Sequence, residues 1–575
     1  MSNHEPVSDV RKRLREHWGN LERSKRSKFE NEQGSSGITQ DANTEVIDLT
    51  SEKESDDAET SETDISQDEL QDVEESTSIT REEHILQDSI SSPPPTTIHP
   101  FRLMKSEIYD QNTSSEHFIT LESMFGAPNL SKCWLFSFQF ELDYILPIFA
   151  ANTSITIIAQ KGTILPATLQ TPQILKLVAN LETLLVHMPP YACHHSKLVV
   201  NKFKNGDCCI YIPSNNFTSA ETNIPTQIVW CSPLLKRSPS ASRPSAFRTA
   251  LIRYLQGYRV DMKPVIAALE QVDFLPLDEL GIEFVYSHPE IASSGLPLLG
   301  SRLQDQHHNA GDKDLTHHYL AQVSTIGSPI KSGLRSPGNL FLNFMIPLFS
   351  GLIKPEANTK RGTKAFDIPE YKKWLELNRI KPYIIYPTAE ELRTSPMGYM
   401  AGGWFHYHWK RNEASRELYQ KIKDWNVLYK RNPRAGSVRK STPAHTKFLM
   451  KATTLSSDAA PFKEMDWVLF TTGNLSMNAW GTYSSKPRNY EVGVLFKSTK
   501  QVKIVIESAA DLAYSNFNGA GRSLSETQSI DRKKLSVMIP FENVPIPYTG
   551  EDDSFCISAA YDEPDSLGNR HEPHA

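Results

Sequence analysis

The chain has 575 residues, of which 39% are hydrophobic and 22% charged, and a formal net charge of −7. That length predicts more than one domain, and no run approaches the roughly 20 apolar residues of a membrane span, which argues against a membrane protein. The charge is unevenly spread: residues 41–90 hold 18 acidic and 2 basic residues and residues 1–40 hold 8 basic and 6 acidic ones, leaving the other 485 residues at +7, a balance that suits a polyanionic partner.

Residues 1–97 are rich in Ser, Glu, Asp and Gln and poor in aromatics. Such a segment cannot bury enough apolar surface to offset its chain entropy, so it reads as a disordered regulatory tail. It ends in the stiff linker Ser91-Ser92-Pro93-Pro94-Pro95. Arg11-Lys12-Arg13-Leu14-Arg15, followed by Lys25, Arg26 and Lys28, resembles a nuclear import signal or a nucleic-acid-binding arm, so the nucleus is the expected compartment. Val46, Ile47, Asp48 and Leu49, followed by acids, resemble a SUMO-interacting motif. Its apolar residues would add a strand to a partner's sheet edge while the acids meet a basic rim. The six cysteines (Cys133, Cys193, Cys208, Cys209, Cys231 and Cys556) form no C-x-x-C pair and follow no apolar export segment. They are expected to be reduced, with no zinc ribbon and no other metal or cofactor.

From His99 onward strand-like and helix-like runs alternate. Ile155–Ala159 and Leu184–Met188 predict strands; Ala246–Tyr258 and Pro369–Leu377 predict helices. The mixture predicts an α/β fold in which helices flank mixed β-sheets. The apolar run Leu340–Ile353, broken by Asn343 and Pro347, reads as core. Two domains are expected, residues 98–286 and 287–575, divided near Ser287-His288-Pro289 after the strand-like Ile282–Tyr286. The pairs His307-His308 and His317-His318 lie in a polar stretch and read as a solvated loop and helix start rather than a metal cluster. Trp404–Arg411 reads as core with a basic exit, and Glu417–Arg431 as a solvated helical face.

One pattern occurs twice. His195-Ser196-Lys197 is followed by the apolar run Cys208–Ile212 and then Asn216; His445-Thr446-Lys447 is followed by Trp467–Phe470 and then Asn474. On a strand, residues two apart share a face, so each His projects with its Lys. Two such pairs brought together surround one small volume with two imidazoles, two ammonium groups and two amides. That set suits phosphoryl transfer: Lys and Asn meet charge on the equatorial oxygens, one neutral His attacks phosphorus, and the other moves protons. The two His then start in opposite protonation states and titrate as a coupled pair.

His-x-Lys twice, each with a trailing Asn, resembles the phospholipase D superfamily. That family's general motif carries an Asp five residues after the Lys, where this chain has Lys202 and Ala452. The departure points to the tyrosyl-DNA phosphodiesterase branch. Gln227–Leu234, Asn474-Leu475-Ser476 with Ala479-Trp480-Gly481, Tyr490–Phe496, Ile539-Pro540-Phe541 and Asp565–Asn569 are all similar to that branch. The resemblance spans about residues 98–570 and implies two related phospholipase-D-like domains with one active site at their interface. It implies His195 as nucleophile, His445 as general acid and then base, and Lys197, Lys447, Asn216 and Asn474 as phosphoryl holders. Gln227 and Glu491 become the partners that orient the two histidines. Tyr191 is implied as a base-stacking residue, and Ser324, Thr325, Ser328 and Ser476 as phosphate contacts made with hydroxyls and backbone amides. The implied activity is metal-independent hydrolysis, for DNA repair, of tyrosyl and other adducts at single-stranded or frayed DNA 3′ ends. The foremost substrate is the link to trapped topoisomerase I, and the expected enzyme is a monomer. Two rival readings are a nuclease or phospholipase of the same superfamily and a non-catalytic, SUMO-recruited DNA-binding scaffold. The basic body and the missing Asp weigh against lipid; the intact His, Lys and Asn in both copies weigh against a scaffold.

Overall fold

A computed structural model describes residues 97–238, 243–308, 314–330, 338–352, 370–432, 439, 442–455, 461–514 and 532–573. The basic arm, the SUMO-like motif and the proline linker lie outside the described residues.

Two eight-stranded mixed sheets dominate. The first runs, in spatial order, Phe118–Ile119, Phe101–Met104, Ile228–Cys231, Cys208–Pro213, Leu198–Phe203, Leu130–Phe136, Ser154–Gln160 and Leu181–Val186. The second runs Glu283–Ser287, Glu491–Lys497, Trp467–Thr471, Phe448–Leu455, Leu315–Gln322, Ile380–Ile385, Leu428–Lys430 and Ile546–Pro547. From Phe101–Met104 in the first and Glu283–Ser287 in the second, successive strands pair with the same senses: antiparallel through four contacts, then parallel through two. The duplication read from two short motifs thus extends over nearly all of each sheet.

This pairing corrects the expected boundary. Glu283–Ser287, assigned from sequence to the end of the first unit, hydrogen-bonds along Glu491–Leu495 and is the second sheet's counterpart of Phe101–Met104. Its apolar pattern suits either sheet, and only the pairing partner decides.

The alternation of each strand sorts its side chains into layers. Leu198 and Val200 enter a core shared by both sheets, whereas Val199 faces a second layer with Phe125, Phe149 and Ile157. Phe101 joins the sheets, with its ring 5.4 Å from Phe470 and 5.5 Å from Phe496. The helix Ala246–Gln256 buries Phe247, Ala250, Leu251, Tyr254 and Leu255, the spacing of one helical face, and Ser245 caps it. At its end the chain passes so close to His288 that a Cβ on Gly257 would lie 2.5 Å from Nε2. A smaller sheet joins Thr97–Ile98 to Lys533–Ile539, Val502–Ser508 and Glu464–Met465.

Two local expectations change. His317 and His318 do not start a solvated helix; they are buried in the strand Leu315–Gln322, where the His318 ring meets the hydroxyls of Tyr383 and Thr454. The basic stretch after Glu417 is a helix only to Asp424 and buries Leu418, Tyr419 and Ile422 before the strand Leu428–Lys430. Trp404, Phe405, Tyr407 and Trp409 are buried. Among the described residues no helix is long and apolar enough to cross a membrane, and the six cysteines are free thiols.

Candidate active site

Antiparallel neighbours bring strand starts and ends to one edge of a sheet. In the first sheet His195 to Lys197 lead into Leu198–Phe203, Asn216 follows Cys208–Pro213, and Gln227 leads into Ile228–Cys231. In the second, His445 to Lys447 lead into Phe448–Leu455, Asn474 follows Trp467–Thr471, and Glu491 opens Glu491–Lys497. The two edges are joined by parallel bridges, His194 to Tyr490 and Thr226 to Ala444. The backbone N–H of His195 donates to the Tyr490 carbonyl and that of His445 to the Thr226 carbonyl, each at 3.1 Å. Each catalytic candidate is therefore docked on the residue just before the other half's Glu491 or Gln227. The eight expected residues converge on one site that neither half completes.

The ring contacts are crossed in the same way. His195 Nδ1 lies 2.8 Å from Glu491 Oε2. That carboxylate also accepts from Thr472 Oγ1 at 2.6 Å and Asn489 Nδ2 at 3.1 Å. A carboxylate on Nδ1–H fixes the tautomer and leaves the lone pair on Nε2. Burial lowers the His195 pKa, with the Glu491 charge partly offsetting it.

His445 differs from the expectation. Gln227 Oε1 accepts from Ser214 Oγ at 2.6 Å and its Nε2 donates to the Glu221 carbonyl at 3.0 Å, which fixes the amide orientation. Gln227 therefore turns its NH2 group, not its oxygen, toward His445 Nδ1, at 3.4 Å. The acceptor is Glu221, whose Oε1 lies 3.2 Å from Nδ1. Burial opposes charge on Glu221, but the His445 ring with its hydrogen bond, then Lys197, hold its pKa well below the usual carboxylate range. Sequence comparison of the two halves missed Glu221 because the matching position of the second half is Ala479. Its one signal, Thr218-x-x-Glu221, reads as an ordinary helix N-cap.

Lys197 and Lys447 are essentially unexposed, at 0% and 1%. Their Nζ atoms donate to the carbonyls of His195, at 3.2 Å, and His445, at 2.6 Å. Burial lowers both pKa values, and the Lys197 charge lowers Lys447 further. Burial, then the Lys447 ammonium, push His445 down to about 3. A phosphodiester anion bound beside these groups would favour both ammonium charges and a protonated His445.

The oxygen ends of the two Asn side chains are held by equivalent contacts. Asn216 Oδ1 accepts from Ser137 Oγ at 2.8 Å and the Phe138 N–H at 3.3 Å. Asn474 Oδ1 accepts from the Ser324 N–H, the Ser324 hydroxyl and the Thr325 N–H at 3.1, 3.2 and 2.9 Å. With the carbonyl ends saturated, the amide hydrogens of Asn474 are the donors to offer a substrate. These bonds engage the backbone amides of Ser324 and Thr325 and the Ser324 hydroxyl. Ser476 likewise donates its N–H to the Asn474 carbonyl and caps the following turn, accepting from Ala479 N–H at 3.2 Å. Ser328 lies beyond them on the same loop, two residues past the short strand Thr325–Ile326. Tyr191 is 91% exposed with φ of +60°, and its carbonyl is held by Asn478 Nδ2 at 2.9 Å. The phenol ring stands free beside the His195 strand on a braced backbone.

Known proteins resemble this chain over most of its length. The family model described as tyrosyl-DNA phosphodiesterase matches residues 102–549. The chain is 38% identical over 480 residues to tyrosyl-DNA phosphodiesterase 1 of Saccharomyces cerevisiae, covering 80% of this chain and 84% of that one. It is 24% identical over 434 residues to a probable tyrosyl-DNA phosphodiesterase of Schizosaccharomyces pombe, covering 66% and 78%. The crystal structure of the yeast tyrosyl-DNA phosphodiesterase superposes with a TM-score of 0.66 at 37% identity, covering 79% of this chain and 99% of that one.

Proposed function

Because the chain belongs to the tyrosyl-DNA phosphodiesterase family, we propose that it hydrolyses the 3′-phosphotyrosyl bond between DNA and trapped topoisomerase I, and other 3′ adducts, through a covalent phosphohistidine. The observation that carries this reading is the crossed pairing of two histidines, each with a carboxylate on Nδ1, beside two buried lysines.

In the first step His195 Nε2 attacks phosphorus. The P–N bond forms, the P–O bond to tyrosine breaks, and His445 Nε2–H gives its proton to the leaving phenolate oxygen. In the second step water attacks the same phosphorus. Its proton goes to His445 Nε2, the P–N bond breaks, and a DNA 3′-phosphate leaves. Lys197, Lys447, Asn216 and Asn474 meet the charge that builds on the equatorial oxygens. They supply the charge and donors that other phosphoryl-transfer sites take from divalent cations, so the reaction needs no metal. Tyr191 stacks an unpaired base, which favours single-stranded or frayed 3′ ends. The enzyme acts as a monomer in the nucleus, addressed by Arg11–Arg15, and Val46 to Leu49 bind SUMO.

The test offers a 3′-phosphotyrosyl oligonucleotide in excess EDTA. Release of tyrosine with a 3′-phosphate product is expected. An unchanged oligonucleotide, with or without metal, would defeat the reading; activity lost only on chelation would defeat its metal-free chemistry.

A further inference from the structure

The two halves solve one problem differently. Each imidazole needs an acceptor on Nδ1–H that tolerates charge when the ring becomes imidazolium. In the second half the residue at the start of the strand Glu491–Lys497 is a carboxylate, and it serves His195. The same place in the first half, before Ile228–Cys231, holds Gln227, whose amide is already fixed by Ser214 and the Glu221 carbonyl. A neutral amide there cannot balance an imidazolium on His445.

We propose that Glu221 is a positioning residue for proton transfer, a single carboxylate that ties the His445 ring of one half to the phosphate-binding Asn216 of the other. Glu221 is 3% exposed and sits in the third position of the short helix Ser219–Asn223. Thr218 caps that helix through the Glu221 N–H, as a capping box prescribes, but the Glu221 carboxylate does not turn back to the cap. Oε1 instead takes the Asn216 backbone N–H at 2.8 Å, and Oε2 takes Asn216 Nδ2 at 2.7 Å. Oε1 also faces His445 Nδ1 at 3.2 Å. One hydrogen of the Asn216 amide is thereby committed, which turns the other toward the site. The same carboxylate holds Nδ1–H through both steps, so the His445 proton shuttles only at Nε2. Asn474 has no such tether, because Ala479 stands at the matching place. The two phosphate-binding amides are thus unequal: among the described residues Asn474 is fixed through its oxygen alone, Asn216 through both ends.

This inference rests on the proposed hydrolysis, and its test separates the two. Glu221→Gln keeps the shape, removes the charge and puts an NH2 group where Oε1 or Oε2 accepts. Single-turnover assays of the full chain on the 3′-phosphotyrosyl oligonucleotide follow tyrosine release and adduct decay separately, across pH. The charges acting on His445 are Lys447, two residues along its own segment, Lys197 from the first half and Glu221 itself, while Glu491 acts on Lys447 and His195. Removing Glu221 leaves the lysines unopposed on that side, so the His445 limb of the profile moves to lower pH. Adduct decay is expected to slow by about 100-fold, the lower end of what a positioned acid–base group contributes, with the melting temperature of Glu221→Gln near wild type. Glu221→Asp is expected to recover part of the rate and return the limb toward its wild-type position. Wild-type decay and an unmoved limb in Glu221→Gln would overturn the inference. So would equal loss in Gln and Asp variants that tracks a fallen melting temperature, the mark of a mere helix cap. No tyrosine released by the wild type would defeat the hydrolysis itself, whatever Glu221 does.

Discussion

Acidification should weaken this fold through His194, which immediately precedes His195 and bridges to Tyr490. His194 is 0% exposed. Its Nδ1 lies 3.3 Å from the Ser137 carbonyl, so Nδ1–H donates and Nε2 accepts from Tyr258 Oη at 2.9 Å. Tyr258 continues to Tyr254 and Ser196 through short hydroxyl contacts. Protonating Nε2 would reverse that chain of donors in a dry core. Burial pushes the ring down to about 3 from 6.5. A folded pKa below the unfolded one means that the unfolded chain takes up the proton first. The stabilising contribution is full above the unfolded pKa and is lost as pH falls from 6.5 toward 3. At about pH 5 the loss from His194 alone comes to ~2 kcal/mol relative to about pH 7.5. His194→Gln removes the titration while keeping a donor and an acceptor. Urea denaturation at the two pH values, followed by tryptophan fluorescence, should show the wild type losing ~2 kcal/mol more than the variant. Equal losses in both proteins would refute the assignment of a neutral, buried His194.

Other consequences are equally direct. Glu491→Gln leaves Thr472 and Asn489 in place but removes the charge from His195 Nδ1, and should slow tyrosine release by about 10²-fold in single turnover. Gly481 has φ of +63°, and an added Cβ would lie 2.4 Å from the Ser485 carbonyl oxygen. Gly481→Ala should lower stability by ~1–3 kcal/mol in thermal melts and loosen Trp480, whose Nε1–H holds the Asn474 carbonyl at 2.8 Å. Asp110 is fully buried against the Arg439 guanidinium and accepts from Tyr514 Oη at 2.7 Å. Asp110→Ala strands that guanidinium and should cost ~3–5 kcal/mol in urea denaturation.

What the sequence revealed and what it hid have physical causes. His195, Lys197, Asn216 and their second-half partners are legible because strand starts and ends repeat at fixed places in both sheets. Glu491 is legible only through family resemblance, since a lone carboxylate on an apolar strand has no spacing signature. Glu221 is hidden because its capping pattern has an ordinary explanation, and its true contacts reach Asn216, five residues earlier, and His445, far along the chain. Gln227 was found as a neighbour of His445, but which end of its amide meets the ring depends on the neighbours that hold the other end, here Ser214 and the Glu221 carbonyl. The strand Glu283–Ser287 was found and given to the wrong sheet, because pairing partners do not appear in a local pattern. His317 and His318 looked solvated in a polar stretch, yet Thr453, Tyr383 and Thr454 satisfy their rings inside the second sheet.

The central claim is that two chemically unequal histidines share one phosphoryl transfer, His195 by attack and His445 by moving protons. His445→Ala, mixed with a 3′-phosphotyrosyl oligonucleotide, quenched and digested, tests it most directly by mass spectrometry. The account predicts an accumulated DNA adduct joined through phosphorus to His195. An adduct on any other residue, or full turnover without one, would contradict it.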